Sequence, residues 1–181
     1  MNTPFRFPLS PANRDSAVSG KAVVTREQDP AEPRTAIIER LYEASNAGVE
    51  IDLIVRGICC LRPGVPGLSD NIRVRSIVGR YLEHARIYRF GHGGADCGPV
   101  HYIGSADLMP RNLDRRVEAL APVTAPDLRA QLDEIIDIQL AEDILAWVLG
   151  ADGTWHKDDH GGRIDSHRKL QELALSRRLP S

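Results

Sequence analysis

The sequence predicts an α/β fold, a mixed sheet flanked by helices, and two observations carry that expectation. From Thr35 to Ala47 the apolar residues Ile37, Ile38, Leu41 and Ala44 recur at helical spacing, and a short loop separates them from the apolar run Ile51–Val55. Farther on, short strand-like segments give way to a helical region opened by Pro126. A helix followed closely by a buried strand implies a sheet covered by helices.

At 181 residues the chain is of one-domain size and can bury a core without disulfides or metals. The formal net charge of −2 argues against a general nucleic-acid or membrane-surface role, because phosphate-backbone binding requires a basic excess. Lysine occurs only at Lys21, Lys157 and Lys169, so nearly all positive charge is arginine. Composition bias explains this most simply, although forked donors also suit phosphate. Cys59, Cys60 and Cys97 have no CxxC spacing, and adjacent cysteines do not readily bridge, so a reduced, intracellular protein is expected. The default address is the cytoplasm, with no transmembrane segment.

Residues 1–34 carry five prolines among polar residues and no periodic apolar face, so they are expected to be poorly ordered, with Lys21–Thr25 a weak candidate for an edge strand. The helix over Thr35–Ala47 should stop at Gly48. Ile51–Val55 reads as a buried strand, which places Arg56 and Gly57 at its C-terminal end, where open α/β sheets bind ligands. Leu61–Asp70, with two prolines and two glycines, is a loop, and Ile72–Ile77 alternates like a strand with one wet face. A helical turn over Val78–Leu82 follows. Ala85–Phe90 and Val100–Gly104 read as a hairpin around a glycine-rich turn. Arg115–Val123 reads as another strand. The helix from Pro126 carries a stripe of Leu128, Leu132, Ile135, Ile136, Leu140, Ile144 and Trp147 and ends at Gly150. Asp152–Trp155 is a turn with a short extended piece, and Asp165 caps a last helix carrying Leu170, Leu173 and Leu175.

His84 heads the list of residues suited to chemistry, being followed two positions later by a cation, Arg86. An imidazole can donate to a phosphate oxygen or shuttle its proton while a guanidinium stabilises the spreading charge. Spacing alone favours the plainer alternative, a half-buried histidine bonded to backbone. Arg56 suits bidentate phosphate binding at a strand end, or is a surface arginine closing a strand. Ser105 follows Gly104 at another strand end, where backbone N–H groups can approach an anion, and a plain turn explains it equally well. Arg111, Arg115 and Arg116 with Asp114 form a mixed-sign cluster of the kind usually found on solvated faces. His92 and Asp158-Asp159-His160 lack the spacing of a zinc or calcium site, so no metal site is expected.

Taken together, Leu53-Ile54-Val55-Arg56-Gly57, Asn71-Ile72-Arg73-Val74-Arg75-Ser76-Ile77-Val78-Gly79-Arg80, Tyr81-Leu82-Glu83-His84-Ala85-Arg86-Ile87-Tyr88 and Ser105-Ala106-Asp107-Leu108-Met109-Pro110-Arg111-Asn112-Leu113-Asp114-Arg115-Arg116 closely resemble the C-terminal catalytic domain of the long-chain polyphosphate kinases. The likeness runs from about Ile37 to Arg178, and several blocks in the family's order make it specific. It sets residues 1–34 apart as a divergent segment and 35–181 as the resembling domain.

The resemblance implies a phospholipase-D-like α/β fold, in which two similar domains each bring a histidine to one phosphoryl-transfer site. This chain resembles the second. The first carries the histidine that becomes phosphorylated, and ATP lies in a tunnel also lined by an amino-terminal domain. By position in the matching blocks, Arg56 and His84 would contact ATP, His84 handling a proton near the transferred phosphate. Arg86, Ser105, Arg111, Arg115 and Arg116 would be further phosphate contacts. ATP would be the substrate, with Mg²⁺ accompanying it, and ADP and polyphosphate would be the other ligands. No counterpart of the nucleophilic-histidine domain is present, so a chain supplying it, or a homo-oligomer, is the expected partner. As part of such a complex the protein would be cytoplasmic or peripheral to the inner membrane. The alternatives are a noncatalytic ATP- or polyphosphate-binding module and a nonfunctional remnant.

Overall fold

A computed structural model describes residues 23–24, 36–91, 98–105, 107, 115–141, 144–158 and 161–178. The elements in order are β1 (Val23–Val24), α1 (Ala36–Asn46), β2 (Ile51–Ile54), β3 (Ile72–Ile77), β4 (Ile87–Phe90), β5 (Val100–Gly104), β6 (Leu120–Val123), α2 (Pro126–Leu140), β7 (Ala146–Leu149), β8 (Trp155–Lys157) and α3 (Ser166–Arg178). They build a five-stranded sheet in the order β1-β2-β3-β7-β8 and a three-stranded sheet β4-β5-β6. The mixed α/β architecture is the one expected.

Both faces of β2 are covered, which is why its sequence reads as a continuous apolar run. Ile51 and Leu53, with Val55 just beyond, pack with Ile38, Leu41 and Ala44 of α1 and with Ile72 and Val74 of β3. Ile54 lies in a second cluster with Ile77, Ile87 and Ile136 of α2. Each such aliphatic side chain, taken fully out of water, contributes about 1.5–3 kcal/mol. Asp52 is the exception in the run. It is buried, and its carboxylate accepts two bonds from its cross-strand partner Arg73, Nε to Oδ1 at 2.8 Å and Nη2 to Oδ2 at 3.2 Å.

The edge strand within 21–25 is present as Val23–Val24, parallel to β2. The rest of residues 1–34 lies outside the described residues. The helix stops where predicted, with Gly48 at φ 85°. β4 and β5 pair antiparallel as the expected hairpin, its turn residues 92–97 lying outside the described residues. Asp165 caps α3, its Oδ1 accepting the Arg168 N–H at 2.9 Å.

Three expectations are corrected. Val78–Leu82 forms no helical turn, because its backbone bonds outward instead, Val78 N–H to Leu145 O at 3.1 Å and Tyr81 N–H to the His167 ring. The strand expected over Arg115–Val123 is only Leu120–Val123. Ser105 closes the ladder at Ala119 with its backbone N–H and its hydroxyl, and Arg115, Arg116 and Val117 beyond it are exposed. The helix from Pro126 ends at Leu140, whose carbonyl accepts from Arg75 Nη1 at 2.5 Å. Trp147 belongs to β7, which pairs with both β3 and β8, and Leu128 is exposed. The helical stripe is therefore Leu132, Ile135, Ile136 and Leu140.

Candidate functional site

β2 and β3 are parallel, so both finish on the same side of the larger sheet. Arg56 follows β2 there and is half-buried. The chain leaving β3 runs through Tyr81 and Glu83 to His84 and enters the smaller sheet only at Ile87, so His84 precedes the strand rather than starting it.

His84 is exposed and faces the guanidinium of Arg86. Arg86 Nη1 lies 3.4 Å from His84 Nδ1 and Nη2 lies 3.2 Å from Nε2. The in-plane lone-pair directions of an imidazole diverge, so one planar fork cannot meet both nitrogens edge-on. At most one of these contacts is therefore a hydrogen bond to a ring lone pair, and the other is a close approach of the cation to the imidazole. Arg86 Nη1 also reaches His84 O, at 3.5 Å. On its other side Arg86 Nε donates to Asp107 Oδ1 at 2.8 Å, and both of these side chains are largely buried. The orientation of the cation beside the histidine is thus fixed by a carboxylate. A fixed guanidinium next to an exposed imidazole can bind phosphate oxygens while the imidazole exchanges a proton.

Two positions after Arg86, Tyr88 of β4 is buried in the core. Burial pushes its phenol up to about 12, partly offset by the positive charge of Arg86. It is therefore protonated at neutral pH. Gly104 allows the approach of β5, since a Cβ there would stand 3.3 Å from the Tyr88 ring.

The other expected residues are placed less centrally. The Ser105 hydroxyl donates to Glu118 and accepts the Ala119 N–H at 2.9 Å, which makes it a link between β5 and β6. Arg115 and Arg116 are exposed beyond that link, and Arg111 lies outside the described residues. Among the described residues no group of three or more His, Cys, Asp or Glu is arranged to hold a metal. His92 and His160 lie outside the described residues.

Two arrangements went unassigned in the sequence. Asp107 holds Arg86 from 21 positions away, with no local signal of the pairing. Asp133 of α2 accepts both from Arg89 Nε at 2.7 Å and from His101 Nε2 at 2.7 Å, tying α2 to the smaller sheet. Arg89 and His101 are cross-strand partners, so the pairing register that brings them together could have been found from the hairpin.

The two sheets, their covering helices and the histidine leading into the second sheet define a phospholipase-D-like α/β domain. Residues 33–169 match the family model of the polyphosphate kinase C-terminal domain 2, and the chain belongs to that family. It is 53% identical over 137 residues to polyphosphate kinase 1 of Chlorobaculum tepidum, covering 76% of this chain and 19% of that protein. It is 58% identical over 123 residues to polyphosphate kinase of Thermosynechococcus vestitus, covering 68% and 16%. Its structure superposes on the crystal structure of polyphosphate kinase from Porphyromonas gingivalis with a TM-score of 0.78 and 36% identity, over 94% of this chain and 25% of that one. The chain thus spans about a fifth of the length of the curated relatives it matches.

Proposed function

We propose that residues 35–181 form one domain that supplies the nucleotide- and phosphate-contacting half of a polyphosphate kinase site, transferring the terminal phosphate of ATP reversibly to polyphosphate. The observation that carries this reading is the guanidinium of Arg86, held by Asp107 and set against the exposed ring of His84. Arg56 and Arg86 bind phosphoryl oxygens and offset the charge that spreads over them in the transition state, and His84 holds or releases the proton. Arg111, Arg115 and Arg116, together with Ser105, would extend contacts along the polyanion. The site offers cations and an imidazole rather than carboxylates, so Mg²⁺ would arrive with the nucleotide and not be held by this domain.

The covalent phosphohistidine step requires the remaining four-fifths of a full-length relative, supplied by a separate chain or a further segment. The exposed apolar side chains of Ile58, Val78 and Leu82, within five residues of the ends of β2 and β3, are the surface such a partner would cover. No helix of the described residues is long and apolar enough to cross a membrane, and the assembled enzyme would work in the cytoplasm, free or peripheral to the inner membrane.

The test is calorimetric titration of ATP and polyphosphate into the protein and its Arg56→Ala and His84→Ala variants, followed by mixing with a chain that supplies the other domains. Binding weakened by both substitutions, and ATP-dependent polyphosphate synthesis in the mixture, are expected. Binding without synthesis would reduce the domain to a phosphate-binding module; no binding of either ligand would overturn the reading.

A further inference from the structure

The segment that presents His84 is gripped from behind by two side chains that the phosphate chemistry does not use. Gln139, in the last turn of α2, donates from Nε2 to Glu83 Oε2 at 2.9 Å. His167, in the first turn of α3, meets Glu83 Oε1 through Nε2 at 2.7 Å. The backbone N–H of Tyr81 points at His167 Nδ1 from 3.3 Å, so Nδ1 accepts and the ring proton sits on Nε2, facing the carboxylate. Gln139 is 2% exposed, His167 5%, and the Glu83 side chain 15%. Both carboxylate oxygens are thus matched by donors from two different helices. Gly79 permits the close fit, since a Cβ there would come within 2.7 Å of His167 Nδ1.

We propose that Glu83, His167 and Gln139 are positioning residues for His84. Glu83 points inward and its neighbour His84 outward, so fixing one side chain sets the direction in which the next is offered. His84 is then bracketed, by the Glu83 network on one side and by the Arg86–Asp107 pair on the other. A loop histidine free to turn would meet a phosphoryl group in the reactive orientation only part of the time, and misplacement by about 1 Å can cost two orders of magnitude in rate. The inference rests on reading His84 as the phosphate-handling group.

The donor–acceptor pattern supplies its own test. Glu83→Gln turns one carboxylate oxygen into an NH₂ that faces either the His167 Nε2–H, donor against donor, or the Gln139 amide, which must then turn over to present its oxygen. Adding Gln139→Glu restores the match: the new amide donates to Glu at 139 and its oxygen accepts from His167. Wild type, E83Q, E83Q/Q139E, Q139M and H84A are compared by the NMR resonances of the His84 ring and by calorimetry with ATP. E83Q should displace the His84 resonances and weaken ATP binding about tenfold, Q139M should do the same to a smaller extent, and the double variant should recover both. Wild-type His84 resonances in E83Q, or in Q139M where E83Q does not fold, would overturn the proposal, as would a folded double variant that recovers neither. H84A binding ATP like the wild type would overturn the reading of the site instead, while the ring resonances would still decide the positioning role.

Discussion

Arg86 and Asp107 form an ion pair of 2.8 Å between Nε and Oδ1, with 13% and 8% of their side chains exposed. Withdrawing one partner of so buried a pair leaves the other charge poorly compensated, which typically costs about 3 kcal/mol. Arg86→Ala should lower stability by that order in urea unfolding. Arg86→Lys keeps the charge but has a single ammonium that cannot hold Asp107 and reach the His84 ring together. It should recover part of the stability while polyphosphate affinity, read by calorimetry, stays low.

Asp133 serves two donors with one oxygen, Arg89 Nε and His101 Nε2. His101 is almost fully buried and its Nδ1 has no hydrogen-bond partner, so Asp133 is what satisfies that ring. Asp133→Ala should cost about 2 kcal/mol in chemical unfolding. Removing His101 together with it, as Asp133→Ala/His101→Phe, should cost less than the sum of the two single changes.

Gly153 turns the β7–β8 hairpin at φ 86°, and a Cβ there would lie 2.5 Å from Arg62 Cζ. Gly153→Ala therefore meets two obstacles, a left-handed backbone worth about 1 kcal/mol and the Arg62 guanidinium. In an Arg62→Ala background the second disappears and the first remains. A double-mutant cycle by thermal unfolding should show a positive coupling between the two positions.

Burial pushes the Cys59 thiol up to about 11 and the Tyr88 phenol up to about 12. Both groups ionise at lower pH in the unfolded chain, so the stability that their burial contributes is intact below about pH 9 and is lost as pH rises toward 11–12. The urea midpoint should fall steeply between pH 9 and 11. Cys59→Ala should flatten the first part of that decline and leave the midpoint's pH dependence below 8 as it was.

Much of the architecture follows from local pattern. The α1 stripe, the doubly covered β2 and the β4–β5 hairpin each carry their period in their own residues, because each buries a face against its immediate neighbours. Ile144 and Trp147 continue the helical spacing of α2, but Trp147 is made extended by a pairing of β7 with β3 that no local window contains, and Ile144 sits in the bend before it, its N–H bonded to Ile164 O. The candidate site divides the same way. Histidine and arginine two apart are visible in sequence, whereas the residues that orient them are not: Asp107 stands 21 positions from Arg86, and His167 stands 84 from Glu83. Their contacts exist only after both sheets and two helices have come together.

The central place of β3, parallel to β2 on one side and antiparallel to β7 on the other, also has a consequence during synthesis. A nascent chain that has emerged through α2 can already pair β2 with β3 and form the smaller sheet, but it leaves one rim of β3 bare until the β7–β8 hairpin leaves the ribosome. That rim is a template for pairing with another nascent chain. Arrest of translation just before Ala146 would therefore yield a species that self-associates through β3, and release of the last hairpin would seal it.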